Sequence, residues 1–357
     1  MIKYLGSKRL LVPQILDLVR ALPDVRRITD LFSGTSRVGH ALKLDGYYVI
    51  ANDHLRYAAT LARCYVAADR RRVGRDAERL IGELSQVKGA PGYFTQTFCE
   101  RSRFFHPRNG ERIDAIRDRI ELLGVDEDLK AILLVSLMEA ADRVDSTTGV
   151  QMAYLKAWAP RAANDLELRL PAILPGPGEA HELDAEQAAG NWETDVVYLD
   201  PPYNQHRYAG NYHIWETLVR WDRPAVYGVA CKRVDCRQYS SAFNSRRGIR
   251  SAMKRVVGAL RCRYIIASFS NEGYLPREEM EDLLRSAGDV RVVEVDFKRY
   301  VGAQIGIYNP SGRKVGSVSH LRNKEYLFVV GVNGSPLPKG LGDVARAGTA
   351  AQETSLL

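Results

Sequence analysis

A short apolar run halted by two prolines constrains this chain more than any other stretch in it: Asp195-Val-Val-Tyr-Leu-Asp-Pro-Pro-Tyr203. Val196 to Leu199 has the uninterrupted, β-branched character of a parallel strand buried on both faces. Pro201 and Pro202 cannot sit in a central strand or a helix interior, and each holds the residue before it extended. The strand must end in a rigid corner poor in hydrogen-bond donors, and the carboxyl ends of strands are where open α/β sheets bind ligands. Asp200 stands there as a fixed acceptor, the Pro201 carbonyl lies beside it, and Tyr203 offers a flat face.

Those groups suit one chemical task, making an exocyclic amine on an aromatic base nucleophilic. The lone pair of such an amine is delocalised into the ring, so the nitrogen is flat and unreactive. Two acceptors aligned on its N–H bonds favour the tetrahedral form, and preorganised electrostatics of this kind is worth ~3 kcal/mol per well-aimed partner. The aromatic face stacks on a base that has left its duplex. An ordinary strand-to-turn corner with a capping Asp explains the tetrapeptide equally well in isolation, so the flanking chain has to decide.

The chain opens with Met-Ile-Lys-Tyr-Leu-Gly-Ser-Lys and then a helical pattern with apolar Leu11, Ile15, Leu18 and Val19. Ser7 reads as a helix cap. Gly6 would admit a close ligand, with Tyr4 and Lys8 in reach; a plain N-terminal helix is the bland reading. Arg27 to Gly39 reads as a first strand, a turn bearing Gly34, and a helix running to about Gly46. A second strand over Tyr47 to Ala51 ends in Asn52-Asp53, an acid about 20 residues past the turn, where it can take both ribose hydroxyls of a nucleoside.

From Leu55 to about Asp165 the sequence is charged and mostly helical, and most of its charges read as a solvated face. Arg101 to Gly110 mixes guanidinium groups, aromatics and a turn, and reads equally as a DNA contact or a surface loop. A Pro/Gly break over 171–178 closes the insertion, and His181 to Ala185 reads as a short strand carrying Asp184. Asp184 fits either an acceptor for an adenine amine or a helix cap. The loop after Tyr203 brings Arg207 and Tyr208. Cys231 to Arg263 then holds ten Lys/Arg against one acid, Asp235, a bias that suits phosphate contacts. Strands are expected over 264–269, 290–297 and 325–332, with a helix over 276–286 and a Gly-rich linker over 302–323. The two final strands allow an antiparallel closure.

Composition sets outer bounds. The charge is +8 over 357 residues with an isoelectric point near 9.2, which suits a polyanionic partner. Five cysteines without paired spacing argue against a disulfide framework or a zinc site. The absence of a long apolar run and of an apolar signal core leads to an expected cytoplasmic location and no membrane partner.

Taken together, the landmarks resemble the adenine-N6 DNA methyltransferases of the Dam-like alpha group. Lys3-Tyr-Leu-Gly-Ser-Lys8, Asp30 to Gly39, Asn52-Asp53, Asp184 and Asp200 to Tyr203 occur in that family's order, across roughly residues 1–332. The resemblance implies an α/β chain with a Rossmann-like class I methyltransferase sheet, mostly parallel with an antiparallel closing strand, plus a helical insertion. It implies a first catalytic part over 1–69, the insertion with target-recognition elements over 70–177, a second catalytic part over 178–332 and a disordered tail over 333–357.

S-adenosylmethionine would lie against Tyr4, Lys8, Asp30, Phe32, Gly34, Asp53 and Asp184. The target base would meet Asp200, Pro201, Pro202 and Tyr203. DNA contacts are expected from Arg207, Tyr208, Lys232, Arg233, Arg246, Arg247 and Arg250. No metal is needed, because the departing thioether is neutral. Double-stranded DNA is the implied partner, and the resemblance leaves a companion restriction endonuclease open. Ser36 stands where the family usually has a second glycine, which puts a close backbone approach there in question. An RNA-guanine methyltransferase and a DNA-binding protein that keeps the fold without catalysis remain alternatives; a dinucleotide oxidoreductase gives no reason for the Asp-Pro-Pro-Tyr corner.

Overall fold

The computed structural model describes residues 1–298, 307–308, 314–316 and 322–341. Alternation along the strands builds a sheet that is covered on both faces. Val196 and Tyr198 point to one side and Val197 and Leu199 to the other, as a period of two requires. Among the described residues the sheet has seven strands: β1 (Arg27–Asp30), β2 (Tyr48–Asn52), β3 (Glu179–His181), β4 (Glu193–Leu199), β5 (Arg261–Ser270), β6 (Gly288–Lys298) and β7 (Arg322–Val332).

Their order is β3-β2-β1-β4-β5-β7-β6, parallel except for β7, which runs antiparallel to both neighbours. The expected class of fold is therefore observed, with one reversed strand inserted between two others. Because the chain first builds outward from β1 to β3 and then returns to place β4 on the other side, the carboxyl ends of β1 and β4 flank a topological switch point.

On one face lie α1 (Val12–Ala21) and α2 (Arg37–Leu44), burying Ile15, Leu18, Val38 and Leu42 against Val49, Val196 and Ile266. Ser7 makes no capping hydrogen bond; it precedes a short 3-10 turn, Lys8–Leu10, that leads into α1. The opposite face is covered by two helices from the second half of the chain, Ile249–Ala259 and Arg277–Arg285. Met253, Val256, Met280 and Leu284 pack there on Val197, Leu199, Ala267 and Phe328.

The insertion folds into α4 (Arg70–Ser85), α5 (Pro107–Leu122) and α6 (Glu127–Arg143), following α3 (Arg56–Ala62). Asp126 caps α6 by accepting the Asp128 and Leu129 N–H groups at 3.0 Å each. Helix α6 is apolar nearly all round, as befits a helix surrounded by others. Its core is shared with Ile2, with Tyr57 and Leu61 of α3, and with Ile214, Trp215 and Leu218 of α7 (His213–Arg220).

The aromatics of 101–110 belong to that core: Phe104 and Phe105 are fully buried, which removes both the DNA-contact and the surface-loop readings for them. At the other end of the chain, Leu337 and Leu341 pack on the α1 face of the sheet, so the start of the expected tail is ordered structure. The expected disorder of 342–357 lies outside the described residues. So does most of the linker at 302–323, apart from the short strands Ile307–Tyr308 and Lys314–Gly316 and the start of β7.

Candidate active site

Strand register assembles the acids. Asp30 is level with Ala51 on β2 and with Tyr198 on β4, so Asp53 and Asp200 both stand two residues beyond it at the carboxyl edge. Above them opens a cleft lined by Tyr4, Lys8, Asp30, Phe32, Gly34, Asp53, Asp200, Pro201, Pro202 and Tyr203, among others.

The first turn is held by its acids. Asp53 accepts the Gly34 N–H at 3.0 Å and the Leu55 N–H at 3.0 Å, and Asp30 accepts the Gly39 N–H at 3.2 Å. Gly34 has φ +50°, and a Cβ on it would come within 3.4 Å of the Tyr4 ring. Ser36 adopts φ +58° as well and is fully buried, so the left-handed conformation persists where the family's usual glycine is replaced, with strain as the cost. Tyr4 in turn stacks on both Tyr208 and Tyr212, with ring centroids at 5.1 and 4.7 Å and planes within 13°. Tyr208 also donates to the Leu5 carbonyl at 3.3 Å.

The electrostatics is concentrated on four groups. Lys8 Nζ lies 3.1 Å from Asp200 Oδ1 and also binds Glu325 Oε1. Glu325 Oε1 accepts from Ser268 Oγ at 3.0 Å. Burial disfavours the Lys8 ammonium, but the Asp200 and Glu325 carboxylates outweigh it and hold its pKa well above the usual lysine value. Burial pushes the Asp200 carboxyl up to about 6, with Lys8 opposing and Glu325 adding to the rise. Asp30 is pushed up to about 8 by burial and then by the Asp200 charge, with the Gly39 N–H pulling it back. Tyr203 closes this side, tilted on Phe269 at 5.1 Å with the Lys8 ammonium 5.5 Å over its ring.

Several expected positions are elsewhere. Asp184 is exposed, accepts the Glu186 N–H at 2.9 Å and caps the helical turn Ala185–Ala188, the bland alternative; β3 ends earlier, at His181. Tyr208 is half-buried in the cleft wall, where its ring stacks on Tyr4. Arg233 is 2% exposed and pairs with Asp222 at 2.6 Å and Asp235 at 2.8 Å, so its charge is spent inside the protein. Lys232 turns its amine to the Met152 sulfur at 2.9 Å. Arg250 pairs with Glu279 at 3.2 Å. Arg207, Arg246 and Arg247 are exposed, Arg246 lying 5.8 Å over the Tyr274 ring. The sequence reading missed Glu325 and Ser268. The only available signal was an acid at the head of an otherwise apolar strand.

With this geometry in view, comparison with known proteins is direct. Residues 4–283 match the family model of the D12 class N6 adenine-specific DNA methyltransferases. The chain is 29% identical to the type II methyltransferase M.NlaIII of Neisseria lactamica, over 83% of this chain and 90% of that protein. It is 28% identical to the modification methylase StsI of Streptococcus sanguinis and 29% identical to the type II methyltransferase M.FokI of Planomicrobium okeanokoites, over 84% of this chain in both cases. It spans only about half the length of those two, 48% and 49%. A seven-stranded sheet, an Asp-Pro-Pro-Tyr corner at its switch point and a family match over most of its length agree: the chain belongs to the D12 class of N6 adenine-specific DNA methyltransferases.

Proposed function

We propose that the protein transfers a methyl group from S-adenosylmethionine to the N6 amine of an adenine extruded from double-stranded DNA, with Asp200 and the Pro201 carbonyl as its acceptors. The observation that carries this reading is the meeting, in one cleft, of the Asp53-braced Gly34 turn and the Asp200–Tyr203 corner.

The cleft's polar atoms fit the cofactor. Asp30 Oδ1, Ser7 Oγ and Ser33 Oγ are buried without a hydrogen-bond partner among the described residues, as expected of groups that complement a polar ligand. Asp30 would hold the ammonium of the methionine part. Asp53 keeps lone pairs beyond its two N–H bonds and would hold the ribose hydroxyls. When bound, the cofactor supplies a methyl group on a sulfonium, an electrophile whose leaving group is a neutral thioether.

The chain's own residues supply alignment. Lys8 occupies Asp200 Oδ1, which leaves Oδ2 for one N–H of the base, and the Pro201 carbonyl takes the other. Asp200 is about a fifth exposed, enough for an incoming base to reach. Tyr203 stacks on that base. As the N–C bond forms and the C–S bond breaks, the amine becomes acidic and passes its surplus proton to Asp200, whose raised pKa suits it as acceptor. The names of the relatives favour a companion endonuclease that reads the same site.

The test is methyl incorporation from labelled S-adenosylmethionine into unmethylated duplex DNA, followed by nucleoside analysis. N6-methyladenine is expected. Label in RNA guanine, or none, overturns the proposal. Asp200→Ala should abolish turnover while cofactor binding survives. Asp200→Asn, which keeps one acceptor, should lose ~10²–10³ in rate. Tyr203→Ala should lose ~1–3 kcal/mol of base stacking, and Tyr203→Phe very little.

A further inference from the structure

A lysine 7% exposed, bound to two carboxylates from different parts of the fold, is more than stability asks of that place. Buried ionic clusters are commonly no more stable than apolar replacements of the same shape. One ammonium against two carboxylates also leaves a net negative charge in a largely buried site. The arrangement becomes intelligible through what it does to Asp200, and here the inference rests on the catalytic reading above.

We propose that Lys8 and Glu325 form a positioning pair that turns Asp200 Oδ2 toward the target amine and sets the charge of that carboxylate. Neither residue needs to touch the base. Lys8 pins Oδ1 at 3.1 Å, so the carboxylate cannot rotate to present it. Glu325 holds Lys8 from the far side and is itself steadied by Ser268 at 3.0 Å. The reversal of β7 makes this contact available. Since β7 runs against β5, with Glu325 level with Ser270, its first residues lie at the edge where the parallel strands end. The contact links residues 317 apart in sequence.

The two partners act on Asp200 with opposite sign. Lys8 favours its ionised form and Glu325 opposes it. The other charged or titratable groups around it are Asp30 on β1, Tyr198 on β4, and Tyr203 and Tyr208 beyond the corner. The ionised form must prevail for Asp200 to accept an N–H, so activity should fall as the pH drops through its pKa. Removing Lys8 should raise that pKa and removing the Glu325 charge should lower it. A merely structural role would give no such opposition.

The experiment titrates Asp200 directly in the full-length protein by 13C NMR of labelled aspartate carboxyls, with Asp200→Asn assigning the signal. The pH profile of kcat/KM for methylation of unmethylated duplex DNA runs alongside. The wild type should titrate at about 6 in both. Lys8→Met should move the titration and the acid limb upward by about one unit or more, and lower the plateau. Glu325→Gln, which still accepts from Lys8, should move both downward, and Lys8→Arg should keep the limb in place. If Lys8→Met does not fold, the downward shift in Glu325→Gln decides. The proposal is overturned if folded variants leave the titration unmoved, move it the same way, or move it without moving the acid limb. Opposite NMR shifts in a protein that methylates no DNA would leave the electrostatic pair standing and overturn the proposed function instead.

Discussion

Asp30 shows what a buried carboxyl does before any ligand arrives. It titrates at about 8 in the folded protein, because burial and the neighbouring Asp200 charge both disfavour its ionised form. In an unfolded chain the same group titrates near about 3.9. As pH rises the unfolded state loses this proton first, so the stability contributed by Asp30 is complete below pH ~4 and disappears progressively up to about 8. Asp200 follows the same course, but its share is gone by about 6. Between pH 6 and 8 the ligand-free protein should therefore lose thermal stability largely through Asp30. Asp30→Asn, a mimic of the protonated acid, should flatten that decline relative to the wild type. Thermal midpoints by circular dichroism at pH 6, 7 and 8 check this; parallel curves for the two proteins would contradict it.

The basic stretch 231–263 behaves as an element whose charges have been divided between two uses. The residues 232–233 form one strand of a small hairpin with Val226–Tyr227, and there Arg233 is buried among Asp222, Asp235 and Thr217. In the helix Ile249–Ala259, Arg250 and Arg255 pair with Glu279 and Glu186. The turn between these parts presents Arg246 and Arg247 to solvent next to the Asn244 that ties the 204–206 loop. Arg233→Ala should destabilise the fold by ~1–3 kcal/mol, since it removes a buried guanidinium bound to Asp222 and Asp235 while Arg220 still faces both carboxylates. Arg246→Ala and Arg247→Ala should leave stability alone. Each should weaken DNA binding uniformly across sequences and reduce the salt slope by about one ion. Thermal melts together with binding isotherms at several salt concentrations separate the two behaviours.

At the scale of the whole molecule, the helical insertion is continuous with the catalytic part. Its core closes only with Tyr57 and Leu61 from α3 and Trp215 and Leu218 from α7. Helix α6, buried over most of its surface, would be stripped of partners on its own. Residues 70–177 expressed as a fragment should therefore show no cooperative thermal transition by circular dichroism, whereas the intact chain should. A sharp transition in the fragment would mark the insertion as an independent domain. The same continuity couples the insertion to the cleft: α7 follows closely on the Tyr208 and Tyr212 that stack on Tyr4.

The amino-acid sequence by itself determined the parts of this protein governed by local rules. Apolar runs and their stops located β1, β2, β4 and the three closing strands, because a buried strand must be apolar and prolines must end it. Gly34 and Asp53 were legible through turn geometry and spacing, and Asp200 to Tyr203 through the stiffness of Pro-Pro. Tertiary structure alone decided where charges went. Arg233 looked like a phosphate ligand in a one-sided run, yet it is buried on Asp222, which the run does not contain. Asp184 had two local readings, and the early end of β3 selected the cap. Lys8 read as a cofactor contact. It does line the cleft, and its ion-pair partners arrive from the corner after β4 and from a strand more than 300 residues away, reversed so that Glu325 starts where the parallel strands finish. Side-chain pairing across that distance depends on strand order and direction, which no local pattern encodes.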